Sequence, residues 1–443
     1  MDYEAGDAMF KNRKLLCFFV VLLIMMQGFP FTLSASVLPE NKLYAKGAVL
    51  MDANSGRVLY AKGADDKMPM ASTTKIMTCI IALECGNPED VVTVSSYAAS
   101  MPRVKLFMKA GEQYYLKDLL YSMMLESHND SAVAVAEHIA GNTEAFAKLM
   151  NEYADKIGCK DTFFITPNGL DAEVIVSEDG KEITRAHETT AKELAKIMSY
   201  CITGSEKRNE FLSITQTRAY EFSNLCKMEG QYAPGTRTFK LQNKNALFDL
   251  MEGALSGKTG YTAKAGYCYV GALSSEGRVY VISLLACGWP NQKGKKWMDA
   301  KRLFEYGMSD FHEKSVKEAL DRSLDDVLEK IYVKNGQTEV LGEKCYVDVS
   351  LDEQKVSDIS EQKILMKDDE DIRVIFTKEE SLNAPVAKGQ TVGEISLLAD
   401  GVVLYKLKLC TKEEILKIDY AYCLKKVMKY YCMKERTEKL QKS

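Results

Sequence analysis

Three short segments of this 443-residue chain hold residue types that could perform acyl transfer. In chain order they are Ser72-Thr73-Thr74-Lys75, Ser127-His128-Asn129 and Lys258-Thr259-Gly260. A serine hydroxyl is a weak nucleophile until a base takes its proton. Lys75 follows Ser72 by three positions at the head of an apolar-periodic stretch, so on a helix the two share a face and the amine reaches the hydroxyl. A lysine can act as base near neutral pH when burial and a second positive charge disfavour its ammonium form. Lys258 could supply that second charge. Ser127 and Asn129 precede another helical stretch, where a loop presents a hydroxyl for proton relay and an amide for substrate binding. In the third segment Gly260 lets a substrate backbone approach, while Lys258 and Thr259 can hold a carboxylate.

Each segment alone has an ordinary explanation. Ser127 and Asn129 are both good helix N-caps, and Lys258-Thr259-Gly260 reads as a solvated turn just ahead of a strand. The chain also holds look-alikes, Ser360-Glu361-Gln362-Lys363 and Ser381-Leu382-Asn383. The ordered trio, placed on suitable elements, is what points to a nucleophilic site.

Those elements can be read along the chain. Gly47 to Asp52 and Arg57 to Tyr60 read as strands joined through Asn54-Ser55-Gly56. Helical patterns follow from Thr73 to Leu83, Leu116 to Leu125, Ser131 to Ile139 and Thr189 to Ile202. Tyr267 to Leu273 and Arg278 to Ala286 read as a hairpin, and Trp297 to Phe311 as a helix packed back on it. Beyond about 335 the pieces are short and β-rich: Asp371 to Thr377, Thr391 to Leu398 and Val402 to Leu409. The expected fold class is α+β, a helical cluster with an antiparallel sheet over 40–312, followed by a small all-β domain over 313–411.

The ends read differently. Residues 1–36 combine Lys11-Asn12-Arg13-Lys14, an apolar run from Leu15 to Met26 and Ser34-Ala35-Ser36, the layout of a signal peptide and too short an apolar run to span a bilayer. Over 412–443, Leu416, Tyr420, Cys423, Leu424, Val427, Met428 and Tyr431 share a helical face opposite Lys425, Lys426 and Lys429, as expected of a basic amphipathic helix on an anionic membrane surface. The formal net charge of -4 argues against a nucleic-acid partner. The four histidines never fall at metal-ligand spacing, so no metal or other cofactor is expected. His128 reads as an exposed loop residue, and Cys79, Cys85, Cys159 and Cys201 as small buried hydrophobes.

The three motifs together are the set shared by penicillin-binding proteins and class A β-lactamases. The wider wording resembles the low-molecular-mass penicillin-binding proteins of the D-alanyl-D-alanine carboxypeptidase family: Ala71-Ser72-Thr73-Thr74-Lys75-Ile76-Met77-Thr78, Pro167-Asn168-Gly169-Leu170-Asp171, and Lys258-Thr259-Gly260-Tyr261-Thr262 followed by Ala265-Gly266-Tyr267-Cys268. The resemblance implies a penicillin-binding/β-lactamase-like transpeptidase domain in which Ser72 attacks the penultimate D-alanine of a peptidoglycan stem peptide with Lys75 as base. It further implies an oxyanion hole from the N–H groups of Ser72 and Tyr261, relay by Ser127, and substrate contacts from Asn129, Lys258, Gly260, Thr259 and Arg278, the last two binding the terminal carboxylate. β-Lactams would be inhibitors, and the enzyme would work exported, on the outer face of the cytoplasmic membrane. Two positions depart from the family pattern: His128 stands where a small residue is usual, and Asn168 where histidine is common. No Glu-x-x-Leu-Asn segment lies between Asn129 and Lys258, which argues against a β-lactamase; the alternative is a catalytically weak penicillin-binding scaffold or sensor.

Overall fold

The structure is a computed structural model and describes residues 38–39, 42–178, 181–399 and 401–441. The expected signal peptide over 1–36 lies outside the described residues. A five-stranded antiparallel sheet forms the spine, from β1 (Gly47–Asp52), β2 (Val58–Lys62), β3 (Ala254–Thr262), β4 (Gly266–Ser275) and β5 (Arg278–Leu285) in the order β2-β1-β5-β4-β3. All six residues of β1 are buried. Gly47 lies against Ala191 and Leu50 against Gly307, and side chains three apart on a strand point to opposite faces, so helices cover both sides of the sheet.

The helical cluster comprises α1 (Lys75–Cys85), α2 (Leu116–Leu125), α3 (Asn129–Ala140), α4 (Thr143–Ile157) and α5 (Ala191–Ser199), with α6 (Lys295–Asp310) on the sheet's other face. Helix α1 is buried without a break from Lys75 to Leu83 and contacts α2, α3, α4 and α5. A helix so enclosed is apolar around its whole circumference, and its single lysine stands out for that reason. The sequence patterns place α1, α2, α3 and α6 within a few residues. Helix α4 escaped them, although Asn142 caps Ala145 N at 2.7 Å and Gly158 closes the end in the left-handed conformation.

A second, separate core runs from Val316 to Ile415 beneath the strands Val349–Leu351, Arg373–Lys378, Thr391–Ala399 and Val402–Thr411. The strand His312–Ser315, which follows α6, pairs with Lys363–Met366 of this region. Arg57, buried, donates to the Leu365 carbonyl and pairs with Glu370 at 2.6 Å. The terminal helix α7 is Tyr420–Gln441 rather than the expected 412–443; the residues before it bridge to the domain, Ile415 to Val386 and Lys417 to Gly336, and the first turn of α7 is tied there too, Tyr422 donating its hydroxyl to the Thr338 carbonyl at 2.8 Å. Among the described residues no helix is long and apolar enough to cross a membrane.

Several expectations need correction. Lys258-Thr259-Gly260 is not a turn ahead of a strand but the middle of β3, the edge strand beside the helices; its two glycines and three serine or threonine residues hide the strand pattern. The hairpins Glu173–Glu178 with Lys181–Ala186 and Ala219–Met228 with Gln231–Gln242 were not evident in the sequence. The first is largely exposed, so no buried face imposes alternation there; the second buries Phe222, Leu225 and Leu241, but a register shift between Ser223 and Leu225 interrupts its pattern. Cys79, Cys159 and Cys201 are buried as expected, whereas Cys85 at the end of α1 is exposed.

Candidate active site

Ser72 sits in a tight 3-10 turn, Ala71–Thr74, that leads into α1. The Lys75 Nζ lies 2.9 Å from Ser72 Oγ, 2.9 Å from Asn129 Oδ1 and 2.5 Å from the Asn168 carbonyl. The amide and the carbonyl oxygens can only accept, so they take two N–H bonds of the amine. A neutral lysine then has its lone pair left for the Ser72 proton. Burial, followed by the charge of Lys258, holds the Lys75 amine well below its ordinary value, against the opposing pull of Asp130.

Lys258 reaches the site from β3. Its Nζ donates to Ser127 Oγ at 2.9 Å and to the Thr259 carbonyl at 3.0 Å, and burial brings its pKa down to about 7. Gly260 passes so close to the nucleophile turn that a Cβ there would stand 2.9 Å from Ser72 N and 3.0 Å from the Met70 carbonyl. Only glycine permits this approach, and it brings the edge strand alongside the Ser72 backbone. Thr259 is half-buried and Tyr261 exposed, its ring 4.7 Å from that of Tyr267.

Eight of the nine residues singled out in the sequence are therefore brought together: Ser72, Lys75, Ser127, Asn129, Lys258, Thr259, Gly260 and Tyr261. Arg278 is not. Thr259 faces Tyr269, which faces Leu284 on β5, and Arg278 is six residues further along that strand, roughly 20 Å away. Arg278 instead donates to the Phe311 carbonyl at 3.0 Å. The family resemblance implies a carboxylate ligand on the strand after the turn, but antiparallel register carries the Arg278 end of that strand away from the motif.

Five further residues, Ala71, Thr74, His187, Gly169 and Asp130, support the site. The Ala71 backbone has a positive φ of 49°, a conformation that non-glycine residues avoid. Thr74 Oγ1 donates to the Ala71 carbonyl at 2.9 Å and meets His187 Nε2 at 2.8 Å. His187 Nδ1 accepts the N–H of Ile165 at 2.9 Å, which fixes the neutral tautomer that donates from Nε2. Burial pushes its pKa down to about 3. Gly169, at φ 83°, closes over the same carbonyl; a Cβ there would be 2.0 Å from the Ala71 oxygen. Asp130, fully buried, accepts the N–H groups of Leu106 and Ser131 at 2.9 and 3.0 Å and holds the start of α3. His187 lies 113 residues from Thr74, beyond any local pattern, whereas Asp130 directly follows Asn129.

The two departures from the family wording are both accommodated. His128 is buried rather than exposed: Nδ1 lies 2.9 Å from Ser122 Oγ and Nε2 3.6 Å from Glu126. Burial lowers its pKa, against Asp130 and Glu126. Asn168 contributes its carbonyl, while its side chain faces Met101 Sδ at 3.6 Å and accepts from Leu170 N at 3.0 Å. Among the described residues no cluster of histidine, cysteine or carboxylate side chains could hold a metal ion.

Residues 34–286 match the family model of D-alanyl-D-alanine carboxypeptidases, and residues 323–417 that of the penicillin-binding protein 5 C-terminal domain. The D-alanyl-D-alanine carboxypeptidase DacF of Bacillus subtilis is 27% identical over 395 residues, 87% of this chain and 89% of its own. DacA of Escherichia coli K12 is 29% identical over 385 residues, covering 84% and 83%. Penicillin-binding protein 5 from Haemophilus influenzae shares the fold, with a TM-score of 0.60 at 24% identity over 86% of this chain and all of that one. A family model that spans more than half of the sequence, over the same stretch in which a buried lysine faces Ser72, places this chain in the D-alanyl-D-alanine carboxypeptidase family of serine peptidases.

Proposed function

We propose that the protein removes the terminal D-alanine from peptidoglycan stem pentapeptides through an acyl-enzyme on Ser72, and that β-lactams acylate the same serine. The observation that carries this reading is the set of three contacts at Lys75 Nζ, which leaves a neutral amine with its lone pair toward Ser72. Lys75 takes the Ser72 proton as Oγ attacks the carbonyl carbon of the penultimate D-alanine. The N–H groups of Ser72 and Tyr261 receive the oxyanion. Ser127, bonded to Lys258, passes a proton to the departing nitrogen and is reprotonated by the proton that Lys75 took from Ser72, the C–N bond breaks, and D-alanine leaves. Water then cleaves the ester and returns the proton to Ser72. Asn129 holds the substrate amide, and Thr259 with the Lys258 charge receives the terminal carboxylate, which explains a requirement for a free C-terminus.

In this reading residues 1–36 direct export, residues 40–312 form the catalytic domain, 313–411 carry it, and α7 rests on the outer surface of the cytoplasmic membrane. Supporting the last point, Tyr420, Leu424, Met428 and Tyr431 are exposed on α7, an apolar display of the kind that marks interfacial helices. The deciding experiment is mass spectrometry of the protein after incubation with penicillin and with a peptide ending in D-alanyl-D-alanine, beside Ser72→Ala. A penicilloyl adduct on Ser72 and Ser72-dependent release of one D-alanine are expected; an adduct without release would leave a sensor. Removal of 412–443 should abolish sedimentation with phosphatidylglycerol vesicles, and unchanged sedimentation would refute the membrane assignment.

A further inference from the structure

The loop from Met101 to Lys109 lies against the start of α3 and is fastened there. Asn129 N donates to the Val104 carbonyl at 2.8 Å, and Asn129 Nδ2 to the Pro102 carbonyl at 3.2 Å. The same Asn129 side chain accepts from Lys75, so the loop is one hydrogen bond from the base. Further along, Asp130 takes the N–H of Leu106 and of Met108, at 2.9 and 3.3 Å, one on each side of Phe107. Arg237 holds the Phe107 carbonyl at 3.0 Å and is itself paired with Glu112 at 2.5 Å.

The residue held in this way is unusual in two respects. Phe107 has φ 63°, a region that a bulky side chain occupies only when its surroundings impose it. The residue is nevertheless 52% exposed, so core packing is not what the strained backbone secures. Arg103 and Lys105 stand over the ring, at 5.6 and 5.5 Å from its centroid, and neither has a carboxylate partner among the described residues. Val104 beside them is also exposed. The result is a fixed apolar and cationic lip beside Asn129, unneutralised by the protein.

We infer that Arg103, Lys105 and Phe107 form a specificity subsite for the part of the acyl-donor peptide upstream of D-alanyl-D-alanine, taking a carboxylate on the cations and an aliphatic stem on the ring. The inference rests on the carboxypeptidase reading above and adds to it the charge of the preferred donor. The cations select by long-range attraction and a charge-assisted hydrogen bond, and the aromatic face gives the stem an apolar rest.

The test compares two probes that differ in one group: L-alanyl-γ-D-glutamyl-L-lysyl-D-alanyl-D-alanine, and the same peptide with its glutamyl α-carboxylate amidated. Wild type should favour the free carboxylate by about tenfold in kcat/KM at low ionic strength, the size of one charge-assisted contact. Arg103→Gln/Lys105→Gln should bring the two probes within twofold. Phe107→Gly, which suits the positive φ and so keeps the fold, should lower kcat/KM on both probes while leaving penicillin acylation of Ser72 within twofold of wild type. Equal turnover of the two probes by wild type, or an undiminished preference in the double variant, would overturn the subsite. If D-alanine is released normally in those cases, the carboxypeptidase reading stands and only the subsite falls; absence of Ser72-dependent release from either probe would remove both.

Discussion

Replacing Lys258 with methionine should make the protein more stable and nearly inactive. Lys258 is 2% exposed, and burial brings its pKa from the ordinary 10.5 to about 7. The unfolded chain therefore binds a proton that the folded chain binds weakly, and stability rises with pH wherever the unfolded state holds more protons. The depressed value belongs to a cation, so the burden on folding is complete below about 7 and disappears as pH rises to 10.5. A gap of about 3.5 between those values, at about 1.4 kcal/mol for each, gives about 5 kcal/mol at pH 6.5. Methionine fills similar space without the charge but forfeits the bonds to Ser127 Oγ and the Thr259 carbonyl, about 1 kcal/mol apiece. The net gain for Lys258→Met is then about 3 kcal/mol at pH 6.5. At pH 9.5 the wild-type burden has fallen to about 1.4 kcal/mol, and the gain should vanish. Urea unfolding of both proteins at the two pH values measures the difference, in which contributions from unaltered groups cancel. Penicillin acylation of the variant should fall at least about a hundredfold, because Lys75 loses both the charge that favours its neutral form and the relay partner of Ser127. A variant no more stable than wild type at pH 6.5, or a gain that persists at pH 9.5, would refute the reasoning.

Three further outcomes can be checked with the same assays. Gly169→Ala should cost about 2–4 kcal/mol and slow acylation roughly a hundredfold, because its Cβ would occupy the space of the Ala71 carbonyl and move the nucleophile; an unaltered melt and acylation rate would contradict that contact. Arg278→Ala should leave kcat/KM within twofold of wild type, its guanidinium being tied to Phe311 at the far end of β5; a tenfold loss would return it to the site. His187, held at about 3 against an ordinary 6.5, stays neutral in the fold while the unfolded chain takes up a proton, so stability falls as pH drops below 6.5 toward 3, by about 2 kcal/mol at pH 5. His187→Gln should flatten that part of the pH–stability curve, and an unchanged slope would show that another group is responsible.

The sequence made the site legible where chemistry and local structure coincide. Ser72 and Lys75 are three apart at the start of a helix, so their meeting follows from helical geometry alone. Asn129 opens α3, a position that its neighbours announce; Lys258 lies on a strand that its glycine and hydroxyl neighbours conceal. The elements with long buried runs, such as α2 and β5, could be placed nearly to the residue, because burial leaves its apolar imprint on the sequence. The exposed hairpin over 173–186 has no such imprint, and in that over 219–242 a register shift interrupts it. Arg278 failed for a related reason: nearness in sequence to a motif strand says nothing about which end of an antiparallel hairpin returns to the site.

What the sequence could not convey is how the site is held under strain. Among the described residues eight other than glycine have positive φ, and several of them, such as Glu229 and Glu276, sit at hairpin tips where a tight turn requires it. Ala71, Ser127 and Phe107 do not. Each is fixed from a distant part of the chain: Ala71 by Gly169 and by Thr74 with His187, Ser127 by Lys258, and Phe107 by Asp130 and Arg237. Local preference disfavours all three conformations, so a reading built on local preference assigns them elsewhere. Strained residues persist only where the surrounding fold over-determines them. That two of them adjoin Ser72 and Asn129, and the third stands beside the same asparagine with its ring in solvent, indicates that folding free energy is being used to hold the nucleophile, the relay hydroxyl and the lip of the cleft before any substrate arrives.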